Sequence, residues 1–315
     1  MVNCQVCHHV SCLYQTDISG TSLEVHSPHR SGIRLVWVFL SPWGDFQAIF
    51  ALRFSSSHCF SPRNKYRLCM RLLMYNIRYA TGHKKGYHVP IPYAGFFKKT
   101  NVNLQRIINF IASVNPDIVA LVEVDSGSYR SNNSCQAQII ADSLGYNHVV
   151  ENKYGSDSLA QKVPVLKQQA NAILARQGIE NYQCHYFEQG VKRLVIQTDI
   201  RTVAIFIVHL SLKYRHRQNQ LEHLHSLIQD TDKEVILTGD FNTFWGSREL
   251  NLFLAATDLK NANIANIPSH PSNAPHRQID FILHSSGLRI DNFYIPDVRL
   301  SDHSPLICDF SCILT

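Results

Sequence analysis

Between Arg71 and the end of the chain, short apolar runs end repeatedly in a carboxylate, an amide or a histidine. Asp117 to Val124 reads DIVALVEV, Thr202 to Leu210 contains VAIFIVHL, and Glu234 to Phe241 leads through VILTG to Asp240 and Asn242. A strand with one wet face alternates apolar with polar residues. These runs do not alternate, so they are expected to be covered on both faces. Leu72 to Ile77, Arg193 to Asp199, Ile279 to Leu283 and Pro305 to Phe310 read as further strands. Between them lie amphipathic stretches. One opens at Asn101, which can cap it, carries Leu104, Ile107, Ile108 and Ile111 at helical spacing, and stops at Asn115-Pro116. Another runs from about Arg215 to Ile228, with Leu221, Leu224, Leu227 and Ile228 on one face. Strands and helices alternate loosely rather than in strict repeats, which predicts an α/β fold of two packed mixed β-sheets flanked by helices.

The first 69 residues look different. They hold ten serines, five cysteines and five histidines, with no sustained period and no capping signal. Their apolar region, Ile33 to Phe54, is broken by Ser41, Pro42, Gly44 and Asp45, short of the roughly 20 residues a bilayer span needs. No apolar run near Met1 follows a basic stretch, so neither a transmembrane helix nor export is expected, and the reading is a cytoplasmic monomer. Cys4-Gln-Val-Cys7-His8 has the C-x-x-C-H form of haem attachment, and Cys12 could extend it to a zinc set. With nothing helical after it, chance occurrence in a Cys/His-rich stretch is the stronger reading. The expected division is an atypical, poorly ordered extension or start-site artefact over 1–69 and a catalytic domain over 70–315, starting at Met70 or Met74. Half of the formal charge of +6 belongs to the extension, whose six basic and three acidic residues leave 24 against 21. That balance permits a polyanionic partner but falls well short of a dedicated polyanion binder.

The polar residues at strand ends carry the chemistry. Asn76 ends the first strand, Glu123 interrupts DIVALVEV, and His209 ends VAIFIVHL. Asp240 and Asn242 end VILTGDFN, Asp280 opens IDFIL, and Asp302 and His303 precede the last strand. Ions buried singly are costly, so carboxylates so placed are paired or metal-bound, and their recurrence implies one site. Oxygen ligands without a cysteine set favour a hard cation, Mg²⁺ or Mn²⁺, with Glu123 as the first ligand. Asp240 and Asn242, two apart on an extended segment, point the same way and can position a water or a metal-bound phosphate. His209 and His303 can donate a proton or stabilise phosphate, each needing a carboxylate to fix its tautomer, for which Asp280 and Asp302 are available. Arg277 reads as a phosphate contact or as the partner of Asp280. Arg78, Lys84, Lys85, Lys98 and Lys99 are interleaved with Tyr79, Tyr87, Tyr93, Phe96 and Phe97. That loop is either a cradle for a phosphate-bearing ligand or a self-packed surface loop.

Seven segments, YNIR (75–78), VEVD (122–125), NAIL (171–174), VHLSL (208–212), GDFN (239–242), RQIDFIL (277–283) and SDHSPL (301–306), occur in an order that resembles the endonuclease/exonuclease/phosphatase superfamily. The resemblance covers about 71 to 310. It implies a four-layer α/β sandwich and hydrolysis of a phosphoester, most simply a phosphodiester, by in-line attack of water. It further implies Asn76 and Glu123 at the metal, with Asp302 there too while pairing a histidine. Asp240 and Asn242 would orient the nucleophile, and His209 and His303, supported by Asp280, would contact the scissile phosphate. The chain departs from the pattern at Ala170, where the family usually has glycine, and offers no evident second carboxylate to partner His209.

The substrate class stays open between nucleic acid and a phospholipid or sphingolipid headgroup. A nuclease should carry a basic track, and a lipid phosphodiesterase should expose apolar loops. The competing class is a non-catalytic phosphate-binding module of the same fold, which would be expected to have lost at least one of these polar residues. A G-x-S-x-G elbow, a P-loop and G-x-G-x-x-G are all absent, which removes serine hydrolases and those nucleotide-binding folds.

Overall fold

The unbroken apolar runs have their cause in layers on either side of them. In β1 (Arg67–Asn76), Leu72 and Met74 face one buried cluster while Leu73 and Tyr75 face another. The computed structural model describes residues 67–82, 99–154, 163 and 165–313. The C-x-x-C-H segment and Lys84, Lys85, Tyr87, Tyr93, Phe96, Phe97 and Lys98 lie outside them.

The chain continues through α1 (Asn101–Val114), β2 (Ile118–Asp125), α2 (Gln136–Leu144), β3 (Asn147–Asn152) and β4 (Gln169–Ala175). There follow β5 (Asn181–Tyr186), β6 (Leu194–Ile200), β7 (Val203–His209), α3 (Tyr214–Gln229) and β8 (Glu234–Asp240). The last elements are α4 (Asn251–Thr257), β9 (Lys260–Asn261), β10 (Asp280–His284), β11 (Arg289–Tyr294) and β12 (Leu306–Ile313). They build two six-stranded sheets, ordered β11-β12-β1-β2-β4-β3 and β5-β6-β7-β8-β10-β9. Each sheet is antiparallel except for one central parallel pair, β1 with β2 and β7 with β8. Met74, Val122, Ile173, Ile205, Ile236 and Phe310 fill the space between the sheets. Leu104, Ile107 and Ile111 of α1 cover the outer face of the first sheet, and Leu221, Leu224 and Ile228 of α3 cover that of the second. This is the expected α/β fold, four layers deep.

Local signals explain the boundaries. Asn115, left-handed at φ 52°, ends α1 just before Pro116, as expected, although Thr100 rather than Asn101 is the residue before its first turn. The first strand begins at Arg67, not Leu72, because β12 runs far enough to pair Arg67 with Ile313 and Cys69 with Ser311. Ile77 lies beyond its end. Among the strands that the apolar runs did not announce, three are polar for a physical reason. β3, β5 and β11 are edge strands with part-exposed sequences NHVVEN, NYQCHY and RIDNFY.

Candidate functional site

The central parallel pairs send strand ends to a common place. In the second sheet His209 pairs with Asp240 in register, and Asp240 pairs with Asp280, so three ionisable residues form one row across β7, β8 and β10. Asn76, from the other sheet, donates from Nδ2 to Asp240 Oδ2 at 3.1 Å. His209 Nε2 lies 3.2 Å from the same oxygen and His303 Nε2 lies 3.9 Å from it. Both sheets thus converge on one carboxylate atom. All five side chains are buried.

The backbone is shaped to allow this. Gly239, in GDFN, has φ 146°, and a Cβ there would lie 1.9 Å from the carbonyl oxygen of Val208, so the close approach of β7 to β8 excludes any other residue. Asn242 is left-handed at φ 52°, a conformation asparagine tolerates. Its N–H donates to Asp240 Oδ1 at 3.0 Å and its Nδ2 to Leu210 O at 2.9 Å, which fixes the turn after β8. Glu123 has φ 57° inside a β-bulge, where the pairing of β2 with β4 shifts between Leu121 and Val124. Such a bulge re-aims a side chain at a sheet end. Its amide donates to Asn171 Oδ1, the asparagine of NAIL, at 3.4 Å, and Glu123 Oε1 comes within 3.8 Å of His209 Nε2. Next to Asn76, the residues Arg78, Tyr79 and Ala80 all have positive φ. This costly turn is held by Gln136 Nε2 on Tyr79 O at 2.9 Å and Asn103 Nδ2 on Ala80 O at 3.2 Å.

The two histidines sit in opposite electrostatic settings. His303 Nδ1 donates to Asp280, 2.8 Å from Oδ2, while Ser269 Oγ donates to that oxygen at 2.6 Å. Burial alone would lower the His303 pKa, but Asp280, by charge and hydrogen bond, together with Asp240, raises it to about 10. His303 therefore carries a proton at neutral pH. His209 goes the other way: burial, then the ammonium groups of Lys192 and Lys153, push it down to about 3, so it is neutral. Burial resists ionisation of Glu123, yet Lys153, His209 and Lys192 hold it at about 2. Burial acts in the same sense on Asp240, and His209 and His303 overcome it, keeping that carboxyl far below the usual range.

The carboxylate that meets His209, Asp240, stands at Nε2, while Nδ1 faces a cation. Lys153 Nζ stands there at 3.2 Å, with Tyr79 Oη also at 3.2 Å, and Lys192 Nζ approaches Nε2. A neutral imidazole has one lone pair and can accept from only one of the two ammonium groups. The surplus of donors suits an anion.

Asp302 sits beside Arg78, with Oδ2 3.3 Å from Nη1, and Asp280 rather than Asp302 pairs His303. Arg277 does not bridge Asp280. Its guanidinium lies exposed over the Phe244 ring, 5.4 Å from the centroid. Of the histidines left without a role, His270 packs against His303 with ring centroids 4.7 Å apart. Lys153, Lys192 and His270 are the residues that sequence reasoning missed.

Two groups of side chains among the described residues bring ligand atoms close enough to hold a metal ion: Asp240, Asp280 and His303, and His270, Asp302 and His303. Glu123, ionised, lies 3.8 Å from His209 Nε2, the atom that Asp240 also approaches, and carboxylates of this kind suit a hard divalent cation. Asn76 turns its Oδ1 to the N–H of Arg78 at 3.0 Å, so it is a donor to Asp240 here and reaches a cation only with its amide reversed.

The family model described as Endonuclease/Exonuclease/phosphatase family matches residues 94–303, two-thirds of the sequence. The chain belongs to the endonuclease/exonuclease/phosphatase family. A search of the curated proteins found no match. Among solved structures, an endonuclease/exonuclease/phosphatase family protein of Bacteroides thetaiotaomicron is 14% identical with a TM-score of 0.61, covering 79% of this chain and 99% of its own. The human Nocturnin catalytic domain with a bound sulfate anion is 18% identical with a TM-score of 0.54, over 79% and 99%. A mannosyl-6-phosphatase of Bacteroides thetaiotaomicron VPI-5482 is 14% identical with a TM-score of 0.56, over 76% and 99%. These likenesses establish the family's fold for this chain. No helix among the described residues is long and apolar enough to cross a membrane.

Proposed function

We propose that this protein is a Mg²⁺- or Mn²⁺-dependent phosphoesterase that cleaves a phosphodiester by in-line attack of water. The observation that carries the reading is the convergence of Asn76, His209 and His303 on Asp240 Oδ2 at the meeting point of both sheets. Asp240, kept ionised, accepts a hydrogen from the attacking water and orients it, with Asn242 fixing the carboxylate through its N–H. His303, protonated and held by Asp280, presents a cationic Nε2–H to a phosphate oxygen. His209 stays neutral and serves as a fixed hydrogen-bonding group rather than a proton donor. Glu123 and Asp302 are the residues that would hold the cation, which supplies charge neutralisation at the phosphate. Arg78, which pairs Asp302, would contact the substrate phosphate.

Family membership and a neighbour named as a phosphatase support phosphoester chemistry, and the substrate comes from experiment. A panel of DNA, RNA, sphingomyelin, inositol phosphates and nucleotides, each with Mg²⁺ and with EDTA, tests the reading. Metal-dependent turnover of at least one diester is expected. Turnover of none, with folded protein, would refute it.

A further inference from the structure

The loops that leave the site carry exposed apolar side chains. Three residues beyond His209 stands Leu212, 60% exposed, followed by exposed Tyr214. Three beyond Asn242 stands Trp245, 82% exposed, next to exposed Phe244, and Leu252 near the start of α4 is 79% exposed. Single exposed apolar residues are ordinary, whereas a contiguous patch beside a site is not.

A buried ion pair ties the loops that carry Leu212 and Trp245 to each other. Arg217, fully buried, donates from Nη1 to the carbonyl oxygens of Ser211 and Leu212 at 2.8 and 3.0 Å and from Nε to Glu249 Oε2 at 2.9 Å. Glu249 Oε1 in turn accepts from the N–H of Trp245 at 3.0 Å. The loop after β7 and the loop after β8 are therefore held as one rim. Lys213 and Arg248 are exposed on the same loops, Arg215 is exposed in the first turn of α3, and the acid among them, Glu249, is engaged by Arg217. Tryptophan, leucine and exposed cations together match the boundary of an anionic bilayer, where rings and methyls enter the acyl edge and cations meet lipid phosphates. A nucleic acid would use the cations and the rings but has no use for Leu212 and Leu252.

We infer that this rim docks the protein on an anionic lipid surface and that its phosphoester substrate is presented there as a lipid headgroup. The inference rests on the phosphoesterase reading for its second half only. Cosedimentation of the full chain with vesicles of equal parts phosphatidylglycerol and phosphatidylcholine, and with phosphatidylcholine alone, tests the first half. Hydrolysis of soluble bis(para-nitrophenyl) phosphate is measured in parallel. The wild type should bind the anionic vesicles, and Leu212→Ser with Trp245→Ser should weaken binding by roughly tenfold or more while leaving soluble turnover unchanged. Both replacements place a polar residue on the surface and should fold. Lys213→Glu with Arg248→Glu should reduce binding to the anionic vesicles specifically.

Equal vesicle binding by wild type and both variants overturns the inference, and so does no binding at all, because any affinity residing in residues 1–66 would survive in the variants. Loss of single-stranded DNA binding in the variants, without vesicle binding by the wild type, overturns it in favour of a nucleic-acid surface. Vesicle binding lost in the variants, with no soluble turnover by the wild type, upholds the docking surface and removes the phosphoesterase reading instead.

Discussion

Lys153 Nζ lies 3.2 Å from Nδ1 of His209, so an ammonium rather than a carboxylate meets that ring nitrogen. The difference changes what the histidine can do. A carboxylate would favour a protonated ring, whereas an ammonium at Nδ1 favours a neutral one whose other nitrogen faces Asp240, 3.2 Å away. The two site histidines are thus driven apart, one neutral and one cationic, which assigns them separate roles.

Burial lowers the Lys153 pKa from 10.5 to about 7 despite the attraction of Glu123. A depressed lysine costs stability in full below the folded value, and the cost shrinks as pH rises from about 7 toward 10.5. Lys153→Met should therefore gain stability over the wild type at pH near 6, by on the order of a few kcal/mol, and gain less near pH 9. Urea denaturation at the two pH values checks this. Equal gains at both would show that Lys153 does not titrate in that window.

Asp280→Asn removes the group that does most to hold the proton on His303. The alkaline limb of kcat/KM should move toward neutral pH by about one unit or more, because the cationic histidine is lost earlier. Activity at neutral pH should fall by roughly a hundredfold. A pH profile measured on a soluble diester decides it; a limb that stays in place would mean that His303 is not the group that titrates there.

Truncation tests how much of β1 the domain needs. A chain starting at Met70 loses the pairs made by Arg67, Leu68 and Cys69 at the strand's beginning. A chain starting at Met74 also loses buried Leu72 and Leu73, and with them Arg71, which bonds Asp309 at 2.6 Å and Asp117 at 2.8 Å. Each buried leucine removed costs about 2 to 5 kcal/mol, comparable to the whole stability of a domain when taken together. Soluble yield and thermal unfolding should show a folded chain from Met70 and an unfolded one from Met74.

What the sequence disclosed follows from what packing requires. Glu123, His209, Asp240 and Asp280 stand out because each interrupts or ends an apolar run, and a charge there is costly without a purpose. The layers were legible for the same reason, since β2 and β7 have both faces covered, whereas the equally buried β4 was not legible as a strand. Edge strands such as β3 carry no such mark. Lys153 follows β3 directly, where a lysine looks solvated, and its burial comes from Tyr79 and His209, distant in sequence and from different elements. The bulge that aims Glu123 is likewise a property of the pairing with β4, invisible in β2 alone. Arg277 shows the converse: adjacency in the motif left a bond to Asp280 as one of two readings, and the fold gives that carboxylate to His303 and Ser269.

Hydrolysis of bis(para-nitrophenyl) phosphate, with Mg²⁺ or Mn²⁺ titrated against wild type, Glu123→Ala and Asp240→Ala, tests a metal-dependent phosphoesterase centred on Asp240 most directly. Wild-type turnover should require the cation and vanish with EDTA. Glu123→Ala should need about tenfold or more cation for half-maximal rate, and Asp240→Ala should lose turnover by roughly a thousandfold while remaining folded. Turnover that ignores EDTA, or that persists in folded Asp240→Ala, would contradict it.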